Sequence, residues 1–179
     1  MHGLIFAELR KFAEAGFGKE AWHRLLVEAG LPPKIYLQGE TYPDEELVAL
    51  ATAASRVAQR PVTALLEQFG EFIVPDLFDI YGAFIQKQWK TLDMIEHTEA
   101  NIHRAVRLRN PSASPPELKC QRVSPAEVVI VYNSPRKMCA VARGIVAGVA
   151  RRYQEQVTIS ESTCMHRGDP SCTISVLLA

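Results

Sequence analysis

Val128-Val129-Ile130-Val131-Tyr132-Asn133-Ser134-Pro135-Arg136 divides this chain into two kinds of sequence. Its first five residues are β-branched or aromatic and predict a buried strand. Asn-Ser-Pro then ends the strand, and a helix rich in Ala, Val and Gly is expected from Arg136 to about Tyr153. Beyond it, Val157-Thr158-Ile159-Ser160-Glu161 and Thr173-Ile174-Ser175-Val176 alternate as strands. Arg167-Gly168-Asp169-Pro170 is the turn between them. Glu117 to Val123 is the candidate strand just before the quoted stretch.

Upstream, the apolar period becomes helical. Leu4, Ala7 and Phe12 begin one stripe, and Trp22, Leu25, Leu26 and Ala29 form another that stops at Gly30 and Pro32-Pro33. Thr41-x-x-Asp44 has the form of a capping box, with Pro43 in the first turn. Leu47, Leu50, Ala51, Ala54, Val57 and Ala58 share one face, and Pro61 opens a helix carrying Val62, Leu65, Leu66 and Phe69. Gly70 and Pro75 are expected to break it. Asp76 to Leu108 predicts one or two helices, with Leu92, Ile95, Ile102 and Val106 on one side. The linker Arg109-Asn110-Pro111-Ser112-Ala113-Ser114-Pro115-Pro116 cannot continue a helix. The expected fold is α+β in one domain, residues 1–179. A helical lobe spans about 1–110, and an α/β lobe, about 111–179, sets a four-stranded antiparallel sheet beside a long helix.

Composition narrows the function. A 47% hydrophobic and 22% charged chain is ordinary for a globular protein. Zero formal net charge gives no electrostatic ground for nucleic acid or an anionic membrane as partner. No apolar run approaches the roughly 20 residues of a spanning helix, and the opening residues lack a basic region followed by a long apolar stretch. A cytoplasmic protein is expected, whose four cysteines are thiols or metal ligands rather than disulfides. There is no Gly-rich phosphate loop, no nucleophile elbow and no carboxylate pair with a supporting His, so a binding module is expected rather than an enzyme.

Three groups of residues could carry chemistry. Tyr132, Ser134 and Arg136 place two hydroxyls and a planar cation at one strand end, which suits a ligand bearing carboxylates or phosphates. Equally, Ser134-Pro135 is a good helix start, with Tyr132 in the core and Arg136 on the surface. His103 lies at the edge of the Ile102/Val106 stripe, where a neutral imidazole beside an apolar cavity could ligate haem iron; a half-buried structural His fits the same pattern. His97 is its rival, and His2 and His23 have no supporting context. Cys139, Cys164 and Cys172, with His166 beside the Gly168-Asp169-Pro170 turn, are compatible with tetrahedral zinc or with three unrelated thiols. Cys120 reads as a core thiol.

His103, Pro115-Pro116 twelve residues later, and Tyr132-x-Ser134-x-Arg136 follow in an order and spacing that resemble the H-NOX (haem nitric oxide/oxygen-binding) family. The opening Met1-His2-Gly3-Leu4-Ile5 is similar to that family's short strand-like entry, and the resemblance runs over essentially the whole chain. It implies haem b between the lobes, with His103 as the proximal iron ligand. Tyr132 and Ser134 would hydrogen-bond the propionates, and Arg136 would pair with them through charge-assisted bonds. Pro116 would press on the porphyrin. Ile5, Leu77 and Phe78, by approximate position, would line the pocket. Where oxygen-binding relatives carry a Tyr that donates to dioxygen, this chain has Val141, which implies binding of NO and CO without a stable dioxygen complex. Breaking the Fe–His bond on NO binding would free the long helix. The implied protein partner is a histidine kinase or a diguanylate cyclase. Some bacterial members also carry zinc on cysteines plus a histidine. The histidine expected three residues before the second Cys is Glu161 here, so His166 replaces it or Glu161 itself ligates. A zinc and thiol redox sensor on the same fold is therefore the alternative. A domain gripping some other carboxylate through Tyr132, Ser134 and Arg136 is the third.

Overall fold

The computed structural model describes residues 1–179. Five helices come first: α1 (Gly3–Phe17), α2 (Ala21–Glu28), α3 (Asp44–Ala58), α4 (Val62–Phe72) and α5 (Val74–Tyr81). Their apolar stripes meet in one core that includes Phe6, Leu9, Trp22, Leu25, Leu50 and Phe69. Phe6 stacks on Tyr36 with ring centroids 4.2 Å apart, which pins the 31–43 connection against α1.

Two details of this lobe differ from the sequence expectation. The strand-like entry shrinks to a single bridge from His2 to Thr41, and α1 begins at Gly3 under a cap in which the His2 ring accepts from the Leu4 N–H at 3.3 Å. The Thr41-x-x-Asp44 capping box does not form. Helix α3 starts at Asp44 itself, so that carboxylate is in the first position rather than the third, and it is taken by the N-terminal ammonium and by Arg136. Thr41 instead meets the Ser112 hydroxyl at 3.0 Å.

The stretch after α5 is interrupted. A short 3-10 turn (Gly82–Phe84) and an extended segment intervene before α6 (Thr91–His97), which runs through a π-helical segment (Thr98–His103) into α7 (Arg104–Arg109). Leu92, Ile95 and Ile102 are buried, as their period requires.

The linker then leads to β1 (Glu117–Ser124), β2 (Glu127–Asn133), α8 (Cys139–Arg152), β3 (Val157–Thr163) and β4 (Cys172–Leu178). The sheet order is β1-β2-β4-β3, antiparallel throughout, with Tyr132 opposite Leu118 on one side and Cys172 on the other. Alternate residues Val128, Ile130, Tyr132, Ile174 and Val176 share a core with Cys139 and Val146 of α8. Helix α8 starts three residues later than expected. Lys137, at φ 50°, turns the chain, its N–H bonding the Ser134 carbonyl at 3.0 Å. Ser134 is therefore in a turn and does not cap the helix.

Gly70 is not a breaker either. It lies within α4, facing α8. A Cβ at Gly70 would fall 2.3 Å from the Val141 carbonyl oxygen, and one at Gly144 would fall 1.9 Å from that of Glu67. The two backbones touch, and this contact holds α8 against the helical lobe.

Candidate functional site

A cavity of about 290 Å³ lies between the two lobes, walled by α1, α4, α5, the α6–α7 run, β1, β2 and α8. Most of its lining is hydrophobic. Ile5, Leu77, Phe78, His103, Pro116, Tyr132, Ser134, Arg136 and Val141 all border it. His97 does not; its ring stacks on Trp89 at 4.7 Å and its Nδ1 meets the Asp93 carbonyl at 2.8 Å.

His103 is set by the π-helical segment. Its Nδ1 lies 2.8 Å from Glu99 Oε2, one helical turn earlier. Burial pushes the imidazole below its ordinary pKa; Glu99 pushes the other way and does not overcome it. Burial also works against ionisation of Glu99, but Arg107 and His103 outweigh it and hold the carboxyl below the usual range. An ionised carboxylate can only accept a hydrogen bond, so the ring proton sits on Nδ1. Nε2 is left with its lone pair, which is the form that ligates a metal.

At another edge of the cavity, Tyr132, Ser134 and Arg136 are brought together by the strand end and the turn after it. The buried Ser134 hydroxyl accepts the Arg136 N–H at 3.3 Å. The Tyr132 hydroxyl accepts the Met138 N–H at 3.2 Å, and burial pushes its pKa up to about 12, so it stays a donor. Arg136 donates from Nε to Asp44 at 2.8 Å and from Nη1 to the Ser114 carbonyl at 2.5 Å. The N-terminal ammonium bonds the other Asp44 oxygen at 2.6 Å. Burial opposes the charge on Asp44, but the two cations outweigh it and hold the carboxyl below its ordinary value. An apolar cleft, a neutral imidazole with a free nitrogen, and hydroxyls with a cation at the rim fit haem and its propionates.

Sequence reasoning missed three residues here. Asp44 is 92 positions from Arg136, and nothing local joins them. Glu99, four before His103 on a helix, carried a readable signal in its spacing. Tyr81 is buried against the cavity and brings the one phenol on α5 to it.

The cysteines form a second cluster. Cys139 Sγ is 3.7 Å from Cys164 Sγ, which is 3.8 Å from Cys172 Sγ. Glu161 completes a group whose donor atoms all lie within 4.8 Å of one another. His166 does not join it. The 3-10 turn Met165–Arg167 turns that ring outward, where its Nε2 meets the Lys137 carbonyl at 2.7 Å. Glu161 also accepts from Arg143 Nη1 at 2.7 Å.

Residues 2–161 match the family model described as Haem-NO-binding. The chain belongs to the H-NOX family. H-NOX domains are haem-binding gas sensors, and no catalytic family is indicated. The whole chain is similar to the crystal structure of an H-NOX protein from S. oneidensis in the Fe(II)NO state, with 26% identity, a TM-score of 0.93, and 100% of this chain and 99% of that one covered. It is also similar to the NMR structure of an H-NOX domain from Shewanella oneidensis in the Fe(II)CO state, at 25% identity, a TM-score of 0.89, and 100% and 99% coverage. An unliganded Fe(II) H-NOX protein from K. algicida shares the fold at 19% identity and a TM-score of 0.88, with 100% and 97% covered. No curated protein sequence matches. No helix of this H-NOX protein is long and apolar enough to cross a membrane.

Proposed function

We propose that this protein is a haem-based sensor of NO and CO that regulates a separate signalling protein, a histidine kinase or a diguanylate cyclase. The observation that carries the reading is His103: an imidazole on an apolar cavity, its Nδ1 2.8 Å from the Glu99 carboxylate, in a chain whose family binds haem. Haem b, when bound, supplies a ferrous iron with an open position for a diatomic gas. His103 would hold the iron through Nε2. Tyr132 and Ser134 would donate to propionate oxygens, and the guanidinium of Arg136 would be shared between a propionate and Asp44. Pro116, on the same cavity wall, would contact the porphyrin, and Ile5, Leu77 and Phe78 would exclude water. Val141 offers no donor, which disfavours dioxygen more than NO or CO. Release of His103 would free α7 and the π-helical segment, and that displacement is what a partner would read.

The test is an absorbance series on reduced, haem-loaded protein. A Soret band that moves with NO and with CO, and no stable oxygen complex in air, is the expected result. Haem-free protein that takes up none on reconstitution would overturn the reading. A stable oxygen complex would overturn only the ligand selectivity, and loss of that complex in Tyr81→Phe would then identify the donor.

A second reading rests on the thiols. Tetrahedral zinc with bonds of about 2.3 Å requires sulfurs about 3.8 Å apart; Cys164 has that spacing to both Cys139 and Cys172, and all the donor atoms lie within 4.8 Å of one another. The fourth ligand would be Glu161 rather than His166. Zinc would offset the burial that now pushes the Cys139 and Cys172 thiols upward. Metal analysis of the purified protein should find about one zinc per chain, lost in Cys164→Ala. Equal zinc in both proteins would remove this reading.

A further inference from the structure

We propose that Glu99 is the positioning residue for His103, fixing its tautomer and setting how tightly it holds the iron. The proposal rests on His103 as the iron ligand. Glu99 sits in the π-helical segment Thr98–His103. Its Oε2 accepts from His103 Nδ1 at 2.8 Å and from the Leu118 N–H of β1 at 3.3 Å. Its Oε1 accepts from the Arg107 guanidinium of α7. One carboxylate thus ties the imidazole to the helix that follows it and to the first strand of the sheet.

Two consequences follow from this arrangement. A charged acceptor on Nδ1–H raises the electron density at Nε2 and so strengthens its bond to a metal. Arg107 moderates that push by sharing the charge. Movement of His103 must also break the Glu99 bond or draw Glu99 with it, and with it the contacts to Leu118 and Arg107. The same carboxylate therefore sets the resistance of the Fe–His bond to rupture and carries its loss toward β1 and α7.

The experiment uses reduced, haem-loaded wild type, Glu99→Gln, Glu99→Ala and His103→Gly. Resonance Raman reads the Fe–His stretch, and transfer of haem to apomyoglobin reads its retention. The stretch should fall in Glu99→Gln and further in Glu99→Ala, and Glu99→Ala should lose haem about 10-fold faster. Nitrogen NMR of the ring in haem-free protein should show a single Nδ1–H tautomer in wild type and a mixture in Glu99→Ala. Unchanged stretch and retention in both Glu99 variants, with haem lost in His103→Gly, would overturn the proposal while leaving His103 in place. An unchanged stretch in His103→Gly would overturn the assignment beneath it. Should Glu99→Ala not fold, the near-isosteric Glu99→Gln alone decides, and an unshifted stretch in it is then the contradicting result.

Discussion

Val141 borders the cavity on α8 and has no hydrogen to donate. Val141→Tyr introduces a phenol there, and the expected outcome is a measurable oxygen complex, read as a slowed return to the unliganded spectrum under argon. No change in oxygen behaviour would place Val141 away from the gas. Asp44 makes a second test at this scale. Its carboxyl is held below its ordinary pKa by the N-terminal ammonium and Arg136 acting against burial. A lowered folded pKa means that these pairs contribute stability above about pH 4 and lose it as pH falls through the folded value. The side chain is partly exposed, so the contribution is at most about 1 kcal/mol. Asp44→Asn should lower the melting temperature slightly at neutral pH and flatten the fall on the acid side; an unchanged acid limb would show that the pairs carry no net stability.

Among the elements, the α4–α8 crossing makes the sharpest demand on sequence. Gly144 faces the Glu67 carbonyl with no room for a Cβ, whereas a Cβ at Gly16, near the end of α1, would meet nothing within 4 Å. Gly144→Ala should destabilise by about 1–3 kcal/mol through overpacking, and Gly16→Ala should stabilise by up to about 1 kcal/mol through helix propensity. Urea unfolding of the pair checks both; a neutral Gly144→Ala would mean the helices can separate at no cost. The elements themselves were largely legible. The apolar period changes at the 109–116 linker, and the structure changes from helix to sheet there. Two of the misses share one cause, a tertiary partner overriding a local rule, and a third comes from a local turn. Gly70 is read locally as a breaker but serves a helix crossing. Thr41 and Asp44 are read as a box but are claimed by Ser112, Arg136 and the N-terminus. Ser134-Pro135 has the form of a helix start, yet the chain turns at Lys137 and delays α8 to Cys139.

Across the whole molecule, the cavity is a product of two lobes that no single stretch of sequence describes. His103 and the Tyr132, Ser134 and Arg136 trio all border the cavity, and it was resemblance that joined them where periodicity could not rank them. Asp44 and Tyr81 were not legible, since Tyr81 reaches the cavity, and Asp44 reaches Arg136 at its rim, only through packing of the helical lobe. His166 and Glu161 were equally open from sequence as companions of the thiols, and strand pairing brings Glu161 to them. The central claim is that the two lobes close on haem held by His103. Haem content and spectrum of His103→Gly, purified and reduced beside wild type, test it most directly. Weak or absent haem in the variant, restored by added imidazole, is the predicted result. Full haem retention with an unaltered reduced spectrum would contradict it.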